Sequence, residues 1–189
     1  MAMNLFHQLC CRSSMWERAS STRIVPWALS GVDLGASALE IGPGYGANVR
    51  ALRARTTSLT GVEIDPDLAA RLRGKRGSEI AVVDGDGTDM PFETKHFDSV
   101  VCFTMLHHVP TPELQDALFA DALRVLRPGG VFAGSDGLDS RMFRLVHLGD
   151  TCVPVPPDTA VERLRRVGFT DVEIEVGAGS FRFRGYRPN

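Results

Sequence analysis

From residue 37 onward, short apolar runs alternate with amphipathic stretches, and this alternation limits the fold more than any other feature. Each run is too short for a helix and is followed by glycine, proline or an acidic residue, as is typical of strands. Strands that alternate with helices form a mainly parallel sheet with helices on both faces. The sequence therefore predicts a doubly wound α/β domain, with five strands at Ala38–Ile41, Ser58–Ile64, Ile80–Val83, Ser99–Phe103 and Gly130–Ser135.

Two dipeptides mark helix starts between these strands. Asp65 before Pro66, and Thr111 before Pro112, each place a capping side chain ahead of a proline at the first helical position. The helix after Thr111 is amphipathic, and the stretch 127–130 (Arg-Pro-Gly-Gly) predicts its end and a sharp turn.

The C-terminal part predicts a helix and a hairpin. A mixed segment over 136–157 precedes a helix from about Asp158 to Val167, closed by Gly168. The runs Asp171–Val176 and Ser180–Tyr186 alternate and are separated by Gly-Ala-Gly, which predicts a β-hairpin.

Residues 1–30 have a different pattern from the rest of the chain. Their apolar positions have loose helical spacing and precede the first strand, which indicates one or two short helices. We therefore expect an N-terminal helical lid or cap over 1–30 and one domain over 31–189.

Charge and cysteine usage exclude several classes of partner. The net charge is −2 and the pI is near 6.2, so no positive field would gather nucleic acid or an anionic membrane surface. The four cysteines form neither a C-x-x-C pair nor a disulfide framework, which favours a reducing cytoplasm. No apolar run approaches the roughly 20 residues that span a bilayer, and no export signal is visible, so we expect a soluble protein.

The first strand runs into a glycine-rich turn, Glu-Ile-Gly-Pro-Gly-Tyr-Gly over 40–46. Glycines at alternate positions let the backbone pass close to a ligand. The stretch also fits Gly42-x-Gly44-x-x-Ala47, a permitted form of the dinucleotide fingerprint, so a nicotinamide or flavin site is one interpretation. Glu40 favours a second interpretation, a nucleoside that bears a methionine. Its carboxylate would repel a pyrophosphate but attract the ammonium of an amino-acid moiety.

The second strand ends near Glu63, about 20 residues after the first glycine, where a carboxylate can accept hydrogen bonds from ribose hydroxyls. Asp65 is explained as the helix cap. Both kinds of cofactor contain ribose, so Glu63 predicts a nucleoside without choosing between them.

Six blocks in order resemble the class I S-adenosylmethionine-dependent methyltransferases, specifically the type 11, small-molecule branch. The blocks are LEIGPGYG (39–46), GVEIDP (61–66), GDGTDMPF (85–92), FDSVV (97–101), LHHV (106–109) and LRPGG (126–130), and the resemblance covers roughly 37–135. It implies a Rossmann-like, mainly parallel seven-stranded sheet with an antiparallel C-terminal hairpin strand.

The resemblance also implies a contact set for S-adenosyl-L-methionine. Glu40 and the glycines would hold the methionine part, Glu63 the ribose, and Asp86 with the Gly87 amide the adenine edge. Ile64 would lie against the adenine face or in the core. The implied contacts are Glu40, Gly42, Gly44, Gly46, Glu63, Ile64, Asp86, Gly87 and Phe103.

His107 and His108 are candidates for a general base, since a neutral imidazole can accept a proton near pH 7. The alternative is packing, because adjacent histidines often occupy this position in the family. We expect no metal, since neighbours on a helix point about 100° apart and no third ligand is evident. His147 would line the acceptor pocket or pack.

The sequence thus predicts an S-adenosylmethionine-dependent methyltransferase whose acceptor is a small molecule. The family's amino-methylating members carry an Asn-Pro-Pro-aromatic block after strand four, and Phe103-Thr104-Met105 replaces it here. Residues 1–30 and 136–157 are expected to set the acceptor. The alternatives are an NAD(P)-binding oxidoreductase, for which neither Tyr45 nor Tyr186 has a lysine partner nearby in the sequence, and a cofactor-binding partner subunit without turnover.

Overall fold

The computed structural model describes residues 4–189 and places seven strands of this range in one mixed sheet. The strands are β1 (Ser37–Ile41), β2 (Ser58–Glu63), β3 (Ala81–Asp84), β4 (Phe97–Phe103), β5 (Leu126–Gly137), β6 (Thr170–Val176) and β7 (Ser180–Tyr186). Their order is β3-β2-β1-β4-β5-β7-β6. The first five are parallel, and β7 is antiparallel to both β5 and β6. The predicted doubly wound fold with its antiparallel C-terminal hairpin is confirmed.

Helices cover both faces of this sheet. They are α1 (Leu5–Arg12), α2 (Ser14–Ala19), α3 (Val25–Ala28), α4 (Val49–Arg53), α5 (Pro66–Arg76), α6 (Pro112–Val125), α7 (Arg141–Val146) and α8 (Pro157–Val167). A π-helical turn over Ser20–Ile24 joins α2 to α3, and a 3-10 turn over Leu106–His108 follows β4.

The central strands β1 and β4 are mostly apolar because both of their faces are buried. In β1, Leu39 packs in the layer that includes residues of α6 and α8, while the neighbouring Ala38 packs in the layer of α3, α4 and α5. Both side chains are fully buried. The alternation along one strand therefore fixes two separate cores, one on each face of the sheet.

The predicted helix caps are confirmed. The Asp65 carboxylate accepts hydrogen bonds from the N–H groups of Asp67 and Leu68, at 3.0 and 3.1 Å. The Thr111 hydroxyl accepts one from the Leu114 N–H at 3.2 Å. The α5 and α6 helices thus begin where the sequence places them.

The predicted end of the helix after Thr111 is wrong by a few residues. α6 ends at Val125, and β5 already begins at Leu126, so the stretch 127–130 belongs to the strand. Leu126 is fully buried and pairs with Phe97. Because Leu126 is buried in the sheet, the strand begins before the two glycines, which the sequence pattern had assigned to a turn.

No helix within residues 4–189 is long and apolar enough to cross a membrane. The four cysteines in this range are free thiols, as their spacing predicts.

Candidate active site

A cavity of about 720 Å³ opens at the carboxyl ends of β1, β2 and β4. Such a position is the usual binding site of doubly wound sheets. Seven of the nine residues that the sequence assigns to a cofactor line this cavity: Gly42, Gly44, Glu63, Ile64, Asp86, Gly87 and Phe103. Both histidines proposed as bases line it as well.

Gly42 and Gly44 of the turn after β1 have different surroundings. Gly42 and Gly44 have positive φ angles of 67° and 53°, which glycine adopts without strain. A Cβ on Gly42 would lie 2.6 Å from the Met105 side chain, whereas a Cβ on Gly44 would meet nothing within 4 Å. The Gly44 backbone therefore borders open cavity.

Gly46, which was also predicted to contact the cofactor, does not line the cavity. A Cβ there would lie 2.5 Å from the Leu72 side chain of α5, and φ is 80°. Its N–H donates to the Pro43 carbonyl at 2.9 Å. Gly46 closes the turn and lets α5 pack against it.

Glu63 occupies the end of β2 with a buried side chain. One carboxylate oxygen accepts the Gly44 N–H at 2.9 Å, and the other accepts the Asp65 N–H at 3.1 Å. Burial raises the pKa of Glu63, and these backbone bonds oppose the rise. A carboxylate has about four acceptor positions, so both oxygens can accept further bonds from the cavity.

Glu40, which the resemblance assigns to the methionine part, is not among the residues that line the cavity. The side chain is completely buried. One oxygen accepts the Asn48 amide N–H at 2.6 Å, and the other, Oε2, has no hydrogen-bond partner. Burial raises the pKa of Glu40 to about 7, an effect that Asn48 opposes and the charge of Glu63 reinforces. An unpartnered buried oxygen is costly, so this position suits a ligand ammonium or a water.

Ile64 and Asp86 complete the wall beyond β2 and β3. Ile64 is 47% exposed, so the core interpretation of this residue is wrong. Asp86 Oδ1 accepts the N–H and the hydroxyl of Thr88, both at 2.9 Å. These bonds fix the carboxylate at the cavity edge.

His107 is held by a carboxylate that the sequence analysis did not identify. Its Nδ1 donates to Asp136 Oδ1 at 2.5 Å, and its backbone N–H donates to Asp136 Oδ2 at 2.9 Å. The Nε2 atom lies 3.1 Å from Nε2 of His147. Asp136 is fully buried at the end of β5, so the pair has a fixed orientation.

His108 and His7 lie beside this pair. His108 Nδ1 donates to the Thr151 carbonyl at 3.1 Å, and His7 Nδ1 donates to Asp150 at 2.8 Å. Burial, together with the neighbouring histidines, lowers the pKa of His108 to about 3. One ring nitrogen each of His7, His108 and His147 lies within 4.8 Å of the other two. The structure therefore brings histidines together that are far apart in the sequence.

Asn48 is another residue that the sequence analysis missed. It donates to Glu40 and accepts a hydrogen bond from the Ser20 hydroxyl. The N-terminal segment is thereby bonded to the residue behind the glycine turn. A polar side chain at the start of α4 is an ordinary sequence feature, so only the structure shows this connection.

Comparison with known proteins places these features in a family. The family described as "Methyltransferase domain" matches residues 39–134. A demethylmenaquinone methyltransferase of Tropheryma whipplei (strain Twist) is 33% identical over 117 residues, which are 61% of this chain and 45% of that protein. Erythromycin 3''-O-methyltransferase of Saccharopolyspora erythraea is 30% identical over 171 residues, covering 77% of this chain and 54% of that protein. The chain thus spans about half the length of these curated relatives.

The fold has solved counterparts. One is Haemonchus contortus phosphoethanolamine N-methyltransferase 2 in complex with S-adenosyl-L-methionine, with a TM-score of 0.73 and 16% identity. The alignment covers 90% of this chain and 52% of that one.

Proposed function

Since the chain belongs to the class I S-adenosylmethionine-dependent methyltransferases, we propose that it binds S-adenosyl-L-methionine and transfers the methyl group to a small-molecule acceptor. The observation that carries this proposal is that one cavity adjoins both groups of residues. It is bordered on one side by the turn after β1 and the ends of β2 and β3, and on the other by α1, α2 and α7. One chamber thus adjoins both the cofactor motifs and the variable segments.

The residues present fit this cofactor. One oxygen of the buried Glu40 carboxylate has no hydrogen-bond partner, and we propose that it attracts the ammonium group of the cofactor. Gly44 leaves room for a close approach, and Glu63 can accept the ribose hydroxyls. Asp86 uses Oδ1 for Thr88, which leaves Oδ2 to accept from the adenine amino group.

When bound, S-adenosyl-L-methionine supplies a methyl group already activated on a sulfonium, so the protein needs to position a nucleophile and exclude water. Trp16 of α2 and Phe143 of α7 line the acceptor side of the cavity. We propose that residues 1–30, of which 1–3 lie outside the described residues, form a lid over this side, and that residues 31–189 form the cofactor-binding domain.

His107 is the better placed of the two predicted bases. Asp136 holds its ring through Nδ1 and its backbone through the N–H, which fixes Nε2 toward the acceptor side. We propose that His107 accepts the proton that the acceptor loses. His108 is tied to the Thr151 carbonyl and serves to position the cluster.

Three observations support a small molecule rather than a macromolecule. The cavity volume of about 720 Å³ falls within the range of small-molecule sites, about 300–1,000 Å³. The two relatives described above are named for small molecules, demethylmenaquinone and erythromycin. The lining is largely apolar, which suits an acceptor with an apolar body.

Calorimetric titration with S-adenosyl-L-methionine and, separately, with NAD tests the cofactor directly. The proposal predicts binding of the former and none of the latter. Binding of NAD alone would replace the proposed function with that of an oxidoreductase.

A further inference from the structure

Four histidines from three parts of the chain meet on the acceptor side of the cavity. They are His7 on α1, His107 and His108 on the turn after β4, and His147 after α7. The ring centroids of His7 and His147 are 4.6 Å apart, and those of His7 and His108 are 5.2 Å apart. All four residues are buried, with no more than 8% of their surface exposed, yet all line the cavity.

Each of these imidazoles donates its Nδ1–H to an oxygen. The acceptors are Asp150 for His7, Asp136 for His107, the Thr151 carbonyl for His108 and the Phe143 carbonyl for His147. In metal-binding histidines the N–H of the second ring nitrogen characteristically donates a hydrogen bond to a carboxylate or a backbone carbonyl. This bond fixes the tautomer. The Nε2 lone pairs are thereby left for a ligand.

One contact within the cluster is unfavourable without a ligand or an added proton. Nε2 of His107 and Nε2 of His147 are 3.1 Å apart, while the Nδ1–H of each ring is already donated. In the neutral rings two lone pairs face each other. A cation bound at His147 removes this repulsion.

We propose that His7, His108 and His147 bind one divalent first-row transition-metal ion through Nε2, with the remaining coordination position open to the cavity. Imidazole is a preferred ligand of zinc, copper, iron and nickel ions, and three histidines with an open position form a catalytic type of zinc site. Tetrahedral Zn–N bonds of 2.0–2.1 Å place the nitrogens about 3.4 Å apart. One ring nitrogen of each of the three histidines already lies within 4.8 Å of the other two, and rotation of the side chains would close the remaining distance.

At its open position the ion could bind the methyl acceptor, a role that rests on the proposed function. A ligand there would be the nucleophilic oxygen or nitrogen of the methyl acceptor, held on the acceptor side of the cavity. This narrows the acceptor to molecules with a metal-coordinating heteroatom at the methylated position. The binding of the ion itself depends only on the histidines.

The test is metal binding by the full chain, with Zn²⁺ as the probe in calorimetry and Co²⁺ as a coloured probe of coordination. The proposal predicts one ion per chain and a d–d spectrum of imidazole ligation. His7→Ala and His147→Ala should each weaken Zn²⁺ binding by more than about 100-fold, and Asp150→Asn by about 10–100-fold, as for a group that only orients a ligand. His96→Ala is the matched control, because His96 is exposed and packs on Phe92 and Phe97 instead.

The outcomes separate this inference from the proposed function. Stoichiometric Zn²⁺ binding that both histidine variants lose, in chains that keep their circular dichroism, supports the site. Absence of binding, equal binding by His7→Ala and His96→Ala, or a thiolate charge-transfer band in place of imidazole ligation would overturn it. S-adenosyl-L-methionine titration of the same samples reports the proposed function independently of the ion.

Discussion

The carboxylate of Glu63 accepts the backbone N–H of Gly44 at 2.9 Å. This bond ties the end of β2 to the glycine turn after β1, across 19 residues of sequence. One carboxylate thus lines the cavity and also orders the loop that borders it. Loss of Glu63 should therefore affect both the ribose contact and the shape of the turn.

Replacement of Glu63 by alanine should weaken S-adenosyl-L-methionine binding by about 1–3 kcal/mol, the range for losing hydrogen bonds to a charged acceptor. Calorimetric titration measures the change, and circular dichroism checks the fold. Glu173→Ala is a suitable control, because Glu173 is an exposed β6 residue paired with Arg184. Unchanged affinity in a folded Glu63→Ala protein would remove this residue from the site.

Replacement of Asp86 by alanine should weaken binding of cofactors that carry the adenine amino group. A cofactor analogue without that amine should bind both proteins alike, because the proposed contact is already missing. A double-mutant cycle between residue and ligand group measures the coupling. Additive losses would show that the two groups do not meet.

Glu40 should make the stability of the ligand-free protein depend on pH. Burial raises its pKa to about 7 from a reference value of 4.5, so the folded state binds the proton more tightly than the unfolded state. The stabilisation is fully present below pH 4.5 and is lost as the pH rises through about 7.

Relative to Glu40→Gln, the wild-type free energy of unfolding should fall across this window by roughly 3 kcal/mol. Urea unfolding of both proteins between pH 4.5 and 8 measures the difference. A difference that stays constant with pH would show that Glu40 does not titrate in this way.

Removal of residues 1–18 should abolish methyl transfer but change S-adenosyl-L-methionine affinity by no more than roughly 1 kcal/mol, a few-fold. The deletion takes away His7, Cys10, Cys11 and Trp16 from the acceptor side, and water then enters the cavity. It keeps Ser20, whose hydroxyl bonds to Asn48. Trp16→Ala gives a second measurement in the full chain. A folded truncation with full activity would contradict the lid.

The parts of this molecule that could be predicted from sequence are those with local causes. The pairs Asp65-Pro66 and Thr111-Pro112 begin helices because capping and proline geometry act within a few residues. The glycine turn and Glu63 stand at ends of strands that must lie side by side in a parallel sheet. Their joint placement at one cavity follows from the fold itself.

The histidine cluster could not be predicted in the same way. His7 and His147 are 140 residues apart, and their approach depends on how α1 and α7 pack over the sheet. Asp136 likewise reaches His107 across 29 residues because β4 and β5 are neighbours. Gly46 differs in another way. It belongs to the predicted binding motif, but in the structure it lets Leu72 pack against the turn.

The most direct test of the account is transfer of a labelled methyl group from S-adenosyl-L-methionine into a metabolite extract, followed by separation of the products by mass. The account predicts label in the low-mass fraction that depends on the protein and falls in Glu63→Ala. Cofactor binding with no labelled product from extracts of varied sources, or label confined to protein or RNA, would contradict a small-molecule methyltransferase.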